Sequence, residues 1–276
     1  MTGSMKIVAR ITITLCACLG AVLCQTPVIA DGGILNAASF DKTPGAPVAP
    51  GSLVSIFGTS LTGALALNDT VPLSTQLANV SVTFNGIQAG LDGVFPGSPD
   101  QINAQVPWNV LPSGATTGTA TVVVTRSGTM SATKLVNIGV APGIFSFPPG
   151  AGYAIAINAD GSLAAPSGSI PGIATHPAKV GDVIIVYATG LGAVDSDIAN
   201  GANSLDKLRN TLARPTVLIG GQSAPVFFSG LTPQFPGVNQ LNVQVPAGVP
   251  TGDKVALQLQ VSGGAPTTSN VVIAVQ

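Results

Sequence analysis

Gln101-Ile102-Asn103-Ala104-Gln105-Val106-Pro107 returns further down the chain as Gln240-Leu241-Asn242-Val243-Gln244-Val245-Pro246. The offset, 240 minus 101 or 139 residues, is far longer than any solenoid repeat, so one whole domain is written twice. Within each copy apolar and amide side chains alternate. Ile102, Ala104 and Val106 share one face, with Gln101, Asn103 and Gln105 on the other. The second copy sets Leu241, Val243 and Val245 against Gln240, Asn242 and Gln244. A period of two is that of a β-strand with one buried face.

The likeness extends outward from this strand. Gly51-Ser52-Leu53-Val54-Ser55-Ile56-Phe57-Gly58-Thr59-Ser60-Leu61 answers Gly181-Asp182-Val183-Ile184-Ile185-Val186-Tyr187-Ala188-Thr189-Gly190-Leu191. Phe95-Pro96-Gly97 precedes the first heptapeptide as Phe235-Pro236-Gly237 precedes the second, and Asn36-Ala37-Ala38-Ser39 loosely matches Asn158-Ala159-Asp160-Gly161-Ser162. Strands are expected at 53–57, 80–84, 87–94, 101–106, 119–125 and 135–140. Their counterparts are 183–187, 216–219, 225–228, 240–245, 255–261 and 271–275. Asn85-Gly86 and Gly220-Gly221 fit two-residue hairpin turns, whose central positions need positive φ. The expected fold is all-β: two tandem Ig-like antiparallel β-sandwich domains. Only 204–212, inside an insertion, has a pattern suited to a brief helix.

Residues 1–30 read as an export signal. Lys6 and Arg10 precede an apolar run over 11–24, and Val28-Ile29-Ala30 offers small residues before a cleavage point at Asp31. The run is shorter than the ~20 residues of a membrane span, so no span is expected after its removal. Cys16, Cys18 and Cys24 leave with it, and a chain without thiols is stabilised by burial rather than disulfides. The first domain is then 31–140, a Pro/Gly-rich linker 141–152 and the second domain 153–276. Phe145 and Phe147 are expected at the junction.

Charged residues make up 8% of the chain, and all eleven acidic residues are aspartates. Beyond residue 30 eight Lys and Arg face those eleven, which excludes a basic surface and with it nucleic acid. A hydrophobic content of 46% excludes disorder.

Four stretches carry a resemblance. They are Pro50-Gly51-Ser52-Leu53-Val54-Ser55-Ile56-Phe57-Gly58, the first heptapeptide, Ala141-Pro142-Gly143-Ile144-Phe145-Ser146, and the segment from Pro177-Ala178-Lys179-Val180-Gly181-Asp182 to Ala188-Thr189-Gly190-Leu191-Gly192. Together they resemble the uncharacterised Solibacter-type C-terminal domain family of exported bacterial proteins, similar in pattern to Ig-like, IPT/TIG-type sandwiches. The resemblance implies export from a bacterium and a tandem sandwich, and brings no catalytic residues. The family's domain usually follows other modules, whereas here it stands directly behind the expected signal.

The amide row Gln101, Asn103, Gln105, Gln240, Asn242 and Gln244 is either a neutral solvated face or a binder of sugar hydroxyls or another protein's backbone, since each amide carries two donors and an acceptor. Trp108, the only tryptophan, either plugs the end of the sandwich with its N–H bonded to a loop carbonyl or stacks on a sugar. Phe95 and Phe235 are expected to tuck inward. Asp195, Asp197, Asn200 and Asp206 suit calcium by residue type, but the EF-hand spacing fails, so a polar loop with Asp and Asn capping its turns competes with a cation site. No cofactor is otherwise expected. His176, the single histidine, precedes a proline, and no Gly-x-Ser-x-Gly elbow accompanies it. The reading is an exported, non-enzymatic structural or adhesive module, secreted or on the cell surface, partnered by other extracellular proteins or polysaccharide. A carbohydrate-binding module and an Asp-dependent hydrolase are the alternatives.

Overall fold

The structure is a computed structural model, and it describes residues 25–261, 267 and 270–276. The expected export signal, apart from residues 25–30, and all three cysteines lie outside these residues. The first half holds β1 (Val28–Asn36), β2 (Leu53–Thr59), β3 (Ala66–Leu67), β4 (Val80–Phe84), β5 (Ile87–Gln88), β6 (Gly90–Phe95), β7 (Asp100–Gln105), β8 (Gly118–Arg126), β9 (Thr129–Met130) and β10 (Lys134–Ile138). The second holds β11 (Gly143–Ile144), β12 (Ser146–Phe147), β13 (Gly152–Ala154), β14 (Ala156–Ile157), β15 (Val183–Thr189), β16 (Thr216–Ile219), β17 (Gln222–Ala224), β18 (Val226–Leu231), β19 (Asn239–Gln244), β20 (Gly252–Gln260) and β21 (Val271–Val275). No described helix is long and apolar enough to cross a membrane.

Each half is a sandwich of two sheets. The first pairs β1-β2-β7-β6-β3 with β10-β8-β4-β5, and the second pairs a β15-β19-β18 sheet, edged by β11 and β14, with β12-β13-β21-β20-β16-β17. The alternation read from sequence sets the cores. Val80, Val82, Phe84, Ile102, Ala104 and Val106 are fully buried in the first, and Leu241, Val243, Val245, Leu257 and Leu259 in the second. The hairpin turns take the expected form, with φ of 50° and 77° at Asn85 and Gly86 and 58° and 83° at Gly220 and Gly221.

The domain edges differ from those read in the sequence. β1 starts at Val28, and Ile29 is a core residue whose backbone pairs with Gly58, so the first sandwich reaches back past Asp31. Gly143 and Ile144 pair with Thr189 and Ala188, and Ile144 lies in the second core, so the second sandwich begins inside the expected linker. Pairing next to the end of the following strand makes Ile144 the counterpart of Ile29. The linker shrinks to a few residues around Ala141, which donates to Gly190 O at 3.0 Å and accepts from Asn36 Nδ2 at 2.7 Å. Phe145 precedes β12 and Phe147 lies in it, both within the second domain. Residues 204–212 form no helix, because Asn210 bridges Gly230 and Thr211 N donates to Ser229 O, which requires extended chain along β18.

Candidate functional site

The amides of the repeated strand are bonded to each other and to backbone. Asn103 Oδ1 accepts from Gln101 Nε2 at 2.7 Å and from Ser55 Oγ at 2.9 Å, and Gln240 Nε2 donates to Asn242 Oδ1 at 2.9 Å. Gln105 Nε2 reaches Gly51 O at 3.2 Å, while Gln244 Nε2 reaches the equivalent Gly181 O at 3.0 Å. Each copy thus ties its last amide to the turn before the strand that pairs with the repeated one, β2 with β7 and β15 with β19. Gln244 stays half-buried, whereas Gln105 is 1% exposed and its Oε1 accepts from Gly201 N of the second domain at 2.6 Å.

A further polar pair precedes the repeat. Asp100, buried, accepts from Leu61 N at 2.8 Å and Gly97 N at 2.9 Å; Asn239 accepts from the equivalent Leu191 N at 3.4 Å. These side chains replace hydrogen bonds that a buried loop would otherwise lose. Extending the alignment one residue before Gln101 and Gln240 would have revealed them.

Around Gln105 the two domains interlock. Thr189, fully buried, accepts from Leu53 N at 3.1 Å and donates to Gly237 O at 2.7 Å. Leu73 N donates to Gly201 O at 2.8 Å, Trp108 N to Asn200 Oδ1 at 2.8 Å, and Asn200 Nδ2 to Asn109 Oδ1 at 3.0 Å. Phe235 does not tuck inward: it is 54% exposed, and the glycine of its loop, Gly237, packs on Leu53.

Trp108 lies against Gly51, where an added Cβ would sit 2.2 Å from the ring, and its Nε1 is buried with no hydrogen-bond partner among the described residues. The expected loop carbonyl is therefore missing from the plug. The equivalent Gly181 has open space where Gly51 meets the indole, so the ring is a feature of the first copy alone. It lines an interdomain groove of about 600 Å³ with Asn109, Ser196, Asp197 and Asn200.

The four residues suited to calcium are engaged separately. Asp195 accepts from Asn210 N at 3.1 Å and Asn210 Nδ2 at 2.7 Å, and the side-chain bond to Asn210 holds its carboxyl below the usual range. Asp206 forms a two-pronged pair with Arg209, at 2.6 and 2.9 Å, which lowers its pKa to about 2. Asp197 offers its backbone carbonyl to Arg209 Nε at 3.0 Å, and Asn200 serves the interdomain clasp. Among the described residues no three of His, Cys, Asp or Glu gather to hold a metal. The loop is organised by Arg209, 4% exposed, at the place where a cation would stand.

His176 faces acceptors at both ring nitrogens, Pro177 O at 2.8 Å and Asp160 Oδ2 at 2.9 Å. The carbonyl, then the carboxylate, raises its pKa. Ser162 Oγ donates to Asp160 rather than to the imidazole, so the three do not form a nucleophile–base relay.

Neither a protein-family model nor a curated protein matches the chain. Among solved structures it is similar to the Bacteroides ovatus mixed-linkage glucan utilization locus SGBP-B in complex with a mixed-linkage heptasaccharide. That match has a TM-score of 0.32 and 12% identity, over 86% of this chain and 46% of that one. Domains 5–6 of the S-layer protein SbsC give 0.29 and 12% over 90% and 99%, and the D00-D0 domain of intimin gives 0.19 and 14% over 84% and 97%. The chain spans less than half of the glucan-locus protein. At these scores the likeness adds nothing to the strand pairing described above.

Proposed function

We propose that this chain is an exported, non-enzymatic structural or adhesive module acting at the cell surface or outside it. The clasp between the sandwiches carries this reading. Gln105, Thr189 and Asn200 each hydrogen-bond across the junction, and a few residues of linker are tied at Ala141 to both sides. Tandem domains joined this way keep a fixed angle, which suits a spacer or a surface array. A loosely tethered pair would move by default. The polar residues of the repeat serve the fold itself, in keeping with a module whose work is mechanical. The test is labelling of intact source cells with an antibody to the second domain, together with attachment of a strain lacking the gene. Labelling only after lysis, or attachment equal to wild type, overturns the reading.

A second reading is favoured by one observation. Trp108 lines an interdomain groove of mixed apolar and polar lining that the other copy has no residue to build, and an aromatic ring beside Asn and Asp is the chemistry that holds a sugar. Retention on a polysaccharide column that disappears in Trp108→Ala, with melting of the variant followed separately, would support it.

A further inference from the structure

The last strands of the two sandwiches have different fates. β21 pairs with β20 on one side, and on the other with β13 in parallel, Gly152 opposite Val271 and Tyr153 opposite Val272. Its end is covered by the parallel bridge of Ala178 to Val275. β10 holds the same place in the first sandwich. It pairs with β8, and its end is covered by the equivalent parallel bridge of Val48 to Ile138. Among the described residues nothing corresponds to β13, and β10 is left as a sheet edge.

The sequence explains the difference. Between Ile144 and Ala156 the second copy inserts the excursion that folds back as β12 and β13, whereas between Ile29 and Ile34 the first copy has only a bulge. In place of β13 the first sandwich has a groove of about 570 Å³ lined by Gly32, Gly33, Pro44, Lys134, Leu135 and Asn137.

The exposed edge is open at both peptide groups of Leu135 and at the N–H of Asn137. Asn137 O accepts from Val48 N, so residue 137 directs its peptide groups away from β8. By the two-residue period Leu135 does the same. The Leu135 side chain is 73% exposed beside them. The other edges are shorter or interrupted: β3, β5, β12 and β17 have only two or three residues, Asn210 and Thr211 cover β18, and β1 is broken by the bulge between Ile29 and Ile34. The groove is lined by Asp31, Asp41, Lys42 and Lys134, two charges of each sign with Lys134 paired to Asp31, so it carries no net charge.

We propose that the first sandwich takes an extended peptide strand from another polypeptide, parallel to β10, in the groove between β1 and β10. The partner segment is uncharged and patterned as small, aromatic, small, because Gly152-Tyr153-Ala154 fills the equivalent position in the second sandwich. Backbone bonds to Leu135 and Asn137 supply the affinity, as in other strand additions. The proposal stands on the first sandwich alone and survives or fails independently of any surface role.

The test uses the whole exported protein and a synthetic peptide with the sequence of residues 149–157, read by amide hydrogen exchange. The expected result is exchange at Leu135 and Asn137 slowed about tenfold or more by the peptide. The same peptide N-methylated at Gly152, whose N–H donates to Asn270 O in the second sandwich, should have no effect. Leu135→Pro should abolish the slowing, since it removes an outward N–H that β8 does not use. Should that variant fail to fold, the N-methylated peptide still decides the matter. Unchanged exchange at both amides, slowing confined to Val272, or equal slowing by the N-methylated peptide overturns the proposal. Peptide-independent dimerisation through β10 does so too, by naming a second copy as the occupant.

Discussion

Gln105 and Gly201, 96 residues apart in sequence, meet in a 2.6 Å hydrogen bond that joins the repeated strand of the first sandwich to the insertion of the second. The same amide donates to Gly51 O, so one buried side chain holds a turn of its own domain and a loop of its neighbour. Its counterpart Gln244 makes only the first of these bonds. Duplication thus preserved the internal lock, and one copy extended it into an interdomain clasp.

Gln105→Ser should therefore cost about 1–3 kcal/mol, the penalty of leaving buried partners unpaired, and should separate the melting of the two domains. Gln244→Ser, at a half-buried position, should stay within about 1 kcal/mol. Calorimetry of both variants checks this. Equal shifts would mean that the bond to Gly201 contributes nothing.

The strands and the cores were legible because apolar residues alternate without interruption, as at Val80, Val82 and Phe84. The edges were not. Ile29 sits in an apolar run that continues a signal-like segment, and Ile144 is surrounded by Pro142, Gly143, Pro148 and Pro149, which read as linker. Both belong to short pairings recognised only from the strand opposite. The roles of the amides were hidden for another reason: alternation places Gln105 on the outer face, but burial there depends on the second domain, which local periodicity does not report.

Export should leave Ile29 in the mature chain. Cleavage before Asp31 would remove a fully buried isoleucine and its pairing with Gly58, a loss of about 2–5 kcal/mol by comparison with large-to-small core substitutions. Intact-mass measurement of the exported protein should give an N-terminus at or before Val28. A recombinant chain starting at Asp31 should melt well below one starting at Gln25. Equal melting would remove Ile29 from the core.

Calcium should have little effect on stability. Asp206 is paired with Arg209 and Asp195 with Asn210, so a cation would have to displace a guanidinium already in place. Melting in millimolar calcium and in chelator should agree within about 0.5 kcal/mol, the range of a minor surface effect. Asp206→Asn, by leaving the buried Arg209 without its carboxylate, should loosen the insertion and speed amide exchange at Thr211 and Leu231. A calcium-dependent rise in melting temperature would reinstate the cation site.

The His176–Asp160 pair should make stability depend on pH in a defined direction. His176 has its pKa raised above 6.5, so its contribution is complete below about 6.5 and is lost as pH rises through the higher folded value. Asp160 is lowered to about 2 by bonds from Ser162 and then His176, so its contribution is present above 3.8 and is lost as pH falls through about 2. Both charges are therefore in place between about pH 4 and 6.5, the window in which Asp160→Asn should differ most from wild type; the difference should shrink above it. Because both side chains reach solvent, salt should weaken the effect. Histidine resonances offer a direct readout, since there is only one to follow. Its titration midpoint should lie above 6.5 in the wild type and fall in Asp160→Asn, and a midpoint unmoved by that substitution would show that the carboxylate does not support the imidazolium.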